Sequence, residues 1–140
     1  MTVTIYHNPE CGTSRNTLAM IRQSGVEPRI VEYLQTPQDR ATVARLIEDA
    51  GLTVREALRT KDTPFEELGL GASAITDETL LEAIGQHPIL LNRPFVVTPR
   101  GTRLCRPSEV VLEILENPGI GPFTKEDGDV VIDAQGNRIA

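Results

Sequence analysis

The sequence predicts an α/β fold in which a mixed sheet is built in two halves with a block of helices inserted between them. Three observations carry that expectation. A β-branched run, Val3-Thr4-Ile5-Tyr6, leads through a turn into a helix-periodic stretch ending at Gly25, and a second alternating stretch follows at 26–33. Between Pro37 and Gln86 the pattern is one of short, well-punctuated helices. Strand character returns from Ile89 to Cys105, and a further helix opens at Pro107.

Each element has a local cause. Val3 to Tyr6 combines β-branched and aromatic residues, and His7-Asn8-Pro9 breaks it with turn chemistry. From Ser14, the residues Thr17, Leu18, Met20 and Ile21 form a helical face, with Gly25 suited to a left-handed C-cap. A strand, helix, strand unit implies parallel pairing through a right-handed crossover. Thr36-Pro37 offers a helix start, with Val43, Leu46, Ile47 and Ala50 as its apolar face and Gly51 as its stop. Thr53 can cap a short helix that delivers Arg59 at its end, and Pro64 to Leu70 suggests another helical turn. Thr76-Asp77-Glu78 opens a helix with Leu80, Leu81 and Ile84 inward, acids in its first turn favouring the start. Ile89 to Thr98 and Thr102 to Cys105 read as a hairpin about Pro99-Arg100-Gly101. Pro107 suits a first helical position ahead of Val110, Val111, Ile114 and Leu115. After a loop rich in Gly and Pro at 117–122, Val130 to Ile139 resembles a small hairpin turning on Gly136.

This order is that of a thioredoxin-like mixed sheet with a helical insertion between its two halves. The expected organisation is a single domain over 1–140, with the core at about 1–35 and 88–116, the insertion at about 36–87 and a tail at about 117–140.

Composition excludes several function classes. With 140 residues, 39% hydrophobic and 24% charged, the chain can bury the core of one ordinary domain. No apolar run approaches the roughly 20 residues of a membrane helix, and no N-terminal stretch resembles a signal peptide. The net charge of −6 argues against a nucleic-acid partner, which would need a broad basic face. A local cationic pocket remains open to it, because all basic residues except Lys61 and Lys125 are arginines, whose planar fork suits oxyanions. Two cysteines without a secretion signal point to a reducing, cytoplasmic setting. No metal site is expected, since His7 and His87 lie far apart and neither stands at ligand spacing to both cysteines.

The chemistry concentrates at Cys11. Strand, turn, small polar residues and helix start place its thiol at a helix N-terminus, where free backbone amides and the helix dipole favour an anion. Cysteines so placed ionise at about pH 3.5–7.5 instead of about 8.5. Ser14 can donate to the sulfur and His7 can add positive charge from the strand side.

The stretch Tyr6-His7-Asn8-Pro9-Glu10-Cys11-Gly12-Thr13-Ser14-Arg15-Asn16-Thr17 resembles the glutaredoxin-linked arsenate reductases of bacteria. His87 to Pro94, Gly101 to Glu109 and Phe123 to Gly128 agree with that family, so the likeness spans nearly the whole chain. The resemblance implies that Cys11 is the nucleophile with His7 and Ser14 beside it. It also implies that Arg59, Arg93 and Arg106 bind the arsenate oxyanion and that Arg93-Pro94 is a cis peptide. No bound cofactor is implied; glutathione is the co-substrate and glutaredoxin the protein partner, with arsenic detoxification as the role.

Two other chemistries conflict with the residues. A phosphatase-type loop needs arginine six positions after the cysteine, where Thr17 stands, and a dithiol exchanger needs a second cysteine where Ser14 stands. The alternative from another class is a non-catalytic relative of this fold that binds RNA polymerase. The commonest kind carries a second cysteine at the Ser14 position; this chain lacks it and has the full arginine set.

Overall fold

A computed structural model describes residues 2–140. The chain divides into two compact units: the described residues through Val31 together with Arg93–Ala140, and Glu32–Asn92.

In the first unit, β1 (Thr4–His7) leads into α1 (Gly12–Gln23), and the chain returns through β2 (Arg29–Glu32). β3 (Phe95–Thr98) and β4 (Gly101–Leu104) complete a four-stranded sheet of order β2-β1-β3-β4. β1 pairs antiparallel with β3, Ile5 opposite Val96, and β3 antiparallel with β4, Phe95 opposite Leu104. This is the thioredoxin-like arrangement that the element order predicts. Ile5, Met20, Ile21, Val96 and Val111 are fully buried between the sheet, α1 and a 3₁₀ segment at Ser108–Glu113. Each such side chain contributes about 1.5–3 kcal/mol over an exposed one. α1 ends as anticipated: Gly25, at φ 96°, returns its N–H to the Arg22 carbonyl at 3.0 Å.

The second unit holds α2 (Arg40–Asp49) and α3 (Asp77–Gln86). Asp39 caps α2 by accepting from Thr42 N, and Thr76 caps α3 by accepting from Thr79 N. Val43, Leu46 and Ile47 of α2 and Leu80, Ala83 and Ile84 of α3 are buried. The short helix expected after Thr53 is a 3₁₀ turn, Arg55–Ala57, opened by a reciprocal pair: Glu56 N donates to Thr53 Oγ1 at 3.1 Å and Thr53 N to Glu56 Oε1 at 2.8 Å.

Several elements differ from the sequence reading, for identifiable reasons. α2 begins at Arg40, not at Thr36-Pro37, because Gln35 N and Thr36 N are bound to Glu32 O in a turn and Asp39 supplies the cap. Pro64 to Leu70 does form the expected helical turn, Leu68 N donating to Pro64 O at 2.9 Å, and does not extend beyond successive turns. Residues 89–92 are not strand: Pro88–Leu90 is a 3₁₀ turn, and Leu91 makes a single bridge to Leu58. Pro94 has no N–H to give a ladder, and β3 starts directly after it. The helix expected from Pro107 is the 3₁₀ segment at Ser108–Glu113, with Pro107 at its N-cap and not at its first helical position. In the tail, β6 (Val130–Ile132) pairs with β5 (Phe123–Thr124), a strand that the sequence pattern does not announce. The small hairpin expected about Gly136 is also present: Gly136 takes the left-handed turn at φ 84°, Asp133 N donates to Asn137 O at 2.9 Å, Ile139 N donates to Val131 O at 2.8 Å, and Ile132 bridges to Arg138. No helix among the described residues is long and apolar enough to cross a membrane.

Candidate active site

The loop after β1 is set by its own backbone. Cys11 N donates to Asn8 O at 3.0 Å, and the Asn8 side chain accepts from Glu10 N at 2.9 Å, so Asn8-Pro9-Glu10-Cys11 forms a closed turn. Cys11 then takes an extended conformation, φ −100° and ψ 121°, as the N-cap of α1, which begins at Gly12, two residues before the start expected from the sequence at Ser14. Its carbonyl accepts the first helical bond, from Arg15 N at 3.0 Å. The thiol therefore stands over the positive end of a twelve-residue helix.

Cys11 is 9% exposed, and burial by itself would raise its pKa. The opposing contributions win: the Ser14 backbone N–H, then the Arg93 guanidinium, then Arg106 hold the thiol below its ordinary value of 9.0. The Ser14 N–H acts as an electrostatic contact and does not close a full capping hydrogen bond. Arg106 Nη1 lies 3.7 Å from Cys11 Sγ and also donates to the Arg93 carbonyl at 3.1 Å, which fixes the guanidinium in place. Arg93 is 8% exposed at the entry to β3. Arg93-Pro94 is cis, as expected; Arg106-Pro107 is also cis, which no sequence signal announced.

His7 and Ser14 meet each other. His7 Nδ1 is 2.6 Å from Ser14 Oγ, which also accepts from Asn8 N at 3.1 Å, and both side chains are buried. The Ser14 hydroxyl, anticipated as a donor to sulfur, is thus engaged by the strand end and the loop, while its backbone N–H faces the sulfur. Arg59 belongs to the other unit, where its N–H donates to Leu90 O at 2.8 Å and its carbonyl accepts from Thr63 Oγ1 at 2.9 Å.

Cys105 is different. It follows β4 directly, is fully buried, and its thiol is pushed up to about 12 by that burial. Both cysteines are free. Among the described residues no group of three or more His, Cys, Asp or Glu could hold a metal ion. Sequence reasoning passed over Arg15, whose guanidinium donates to Pro9 O at 2.7 Å and to the Glu126 carboxylate from 111 residues away. Nothing local marks a partner at that separation.

A thiol of lowered pKa at a helix N-terminus, faced by arginines on a thioredoxin-like sheet, defines the class of protein. The chain belongs to the ArsC family, whose model matches residues 6–114. It is 66% identical to the arsenate reductase of Rhizobium meliloti (strain 1021) over 99% of both chains. It is 59% identical to the arsenate reductase of Escherichia coli (strain K12), covering 98% of this chain and 97% of that one. Among solved structures, an arsenate reductase from Vibrio cholerae superposes with a TM-score of 0.79 at 43% identity, over 82% of this chain and 98% of that one.

Proposed function

We propose that this chain reduces arsenate to arsenite, with the Cys11 thiolate as nucleophile and glutathione and glutaredoxin as electron donors. The observation that carries the reading is the Cys11 sulfur at the N-terminus of α1, 3.7 Å from Arg106 Nη1 with its pKa lowered. Arsenate is anionic at neutral pH, and a thiolate approaching it brings further negative charge to the same place. Guanidinium forks aimed at that place make the approach tolerable. Arg93 and Arg106 are the oxyanion ligands in this reading, and Arg59 is the third on the strength of the family pattern. His7 and Ser14 hold the catalytic loop closed behind the thiolate.

In the proposed sequence, Cys11 sulfur forms a bond to arsenic(V) and one arsenate oxygen leaves as water. Glutathione adds its sulfur to arsenic in place of a second oxygen. A glutaredoxin thiolate attacks the glutathione sulfur; the sulfur–arsenic bond breaks, and its electron pair reduces arsenic to the (III) state. Water then releases arsenite and regenerates Cys11. Overall, one arsenate and two thiols become one arsenite, one disulfide and one water. Neither Ser14 nor the buried, high-pKa Cys105 suits the role of an internal resolving thiol.

No cofactor is bound in this scheme, the protein partner is glutaredoxin, and neither nucleic acid nor membrane takes part. The role is arsenic detoxification in the cytoplasm. The two units work as one reductase domain, a reading supported by a family match that runs through both. The test is arsenate-dependent oxidation of NADPH by purified protein with glutathione, glutaredoxin and glutathione reductase. Turnover is expected there and not with thioredoxin and its reductase; sustained arsenite production with thioredoxin alone would refute the donor assignment.

A further inference from the structure

The C-terminal tail brings two neighbouring residues to two different sides of the site. Glu126 grips α1: its Oε2 accepts from Arg15 Nε and its Oε1 from Arg15 Nη2, both at 2.9 Å. Its backbone N–H donates to Asn16 Oδ1 at 3.0 Å. The third nitrogen of the same guanidinium holds the Pro9 carbonyl at 2.7 Å, so the grip extends to the loop that carries Cys11. A Cβ built on Gly12 would lie 3.8 Å from Glu126 Oε1, which puts the carboxylate beside the residue next to the nucleophile.

Lys125 reaches the other side. Its Nζ lies 2.8 Å from Glu109 Oε1, in the 3₁₀ segment that begins two residues after Arg106. These side chains are only 14% and 11% exposed, against 43% and 48% for Arg15 and Glu126. The dipeptide itself is rigidly mounted. Lys125 N donates to Asp129 O at 2.8 Å, and Phe123 and Ile132 of the β5–β6 pair are buried in the core of the same unit.

We infer that Lys125 and Glu126 are positioning residues, a cross-brace between the start of α1 and the Arg106 segment that sets the separation of Cys11 Sγ from Arg106 Nη1. This rests on the reading of Cys11 as nucleophile. An exposed ion pair such as Arg15–Glu126 contributes little to stability. Its effect on the reaction is larger, because a misplacement of about 1 Å can cost ~100-fold in rate. Stability and activity therefore separate when the brace is cut.

The experiment compares wild type with Glu126→Gln, with Lys125→Met/Glu109→Gln, which removes the buried pair without stranding a carboxylate, and with Arg22→Ala as a control for an exposed ion pair on the same helix. Thermal unfolding, kcat and KM for arsenate, and the pH dependence of iodoacetamide alkylation at Cys11 are measured. Glu126→Gln is expected to lower kcat about tenfold with little change in unfolding temperature. Its alkylation midpoint is expected to move to higher pH, as the thiolate loses its placement against Arg106. A role through charge alone predicts the opposite sign, since removing a nearby carboxylate favours the thiolate. A midpoint that falls or stays put in Glu126→Gln overturns the inference. So does a brace variant whose activity loss merely tracks its loss of folded protein. Alkylation needs no arsenate, so its outcome stands even where the arsenate assay is silent in wild type.

Discussion

Cys11 and Cys105 share one compact unit and one side-chain chemistry, yet the protein treats them in opposite ways. Both are buried: Cys11 is 9% exposed and Cys105 fully enclosed. Burial alone pushes both thiols toward neutrality. At Cys105 it wins, and the pKa rises to about 12. At Cys11 the Ser14 N–H and the Arg93 and Arg106 guanidinium groups outweigh it. The difference has two causes: Cys11 is the less enclosed of the two thiols, and an amide and two guanidinium groups face its sulfur, whereas burial dominates at Cys105.

The comparison can be broken most severely at the nucleophile. Cys11→Ser is expected to abolish arsenate turnover while leaving the circular dichroism spectrum intact, because an alcohol at a helix N-terminus is not appreciably ionised at pH 7. Substantial turnover by a folded Cys11→Ser protein would end the assignment. Next come the charges that distinguish the two sites. Arg93→Ala and Arg106→Ala should each lower kcat/KM about 100-fold, roughly 3 kcal/mol of lost oxyanion stabilisation, with Arg→Lys restoring only part. Equal losses on replacing the solvent-facing Arg22 or Arg40 would show that net charge, not placement, is what matters.

The pH dependence of stability sharpens the contrast. Cys11 has a lowered pKa, so its contribution is present above the unfolded value of 9.0 and is lost as pH falls through the folded value. Cys105 has a raised pKa, so its contribution is fully present below 9.0 and is lost as pH rises toward about 12. Urea unfolding across pH 6–11 with Cys11→Ser and Cys105→Ala should therefore remove slopes of opposite sign, rising with pH for Cys11 and falling for Cys105. The smallest functional effect is expected at Cys105 itself. Cys105→Ala should keep most activity and cost about 1 kcal/mol of stability through lost packing, read as a small fall in unfolding temperature. A loss of activity comparable to that of Cys11→Ser would make Cys105 a redox partner after all.

The sequence alone carried much of this. Val3 to Tyr6, the Asn8-Pro9 turn and the Leu18, Met20, Ile21 face are local signals, and they were enough to set Cys11 at a helix start. Caps and turns at Gly25, Thr53, Thr76 and Gly136 were legible for the same reason: their hydrogen bonds or backbone angles are decided within a few residues. What it could not yield depends on partners brought together by folding. Which Ser14 group faces the sulfur follows from His7 and Asn8 N–H occupying its hydroxyl. The 3₁₀ turns at 88–90 and 108–113 stand where local pattern reads as strand and as helix, and no short-range signal selects them. The grip of Glu126 on Arg15 joins residues 111 apart. Periodicity and propensity report what one segment prefers; a contact across such a span exists only once the core has paid the entropy of closing the chain between its ends, and only the tertiary structure contains it.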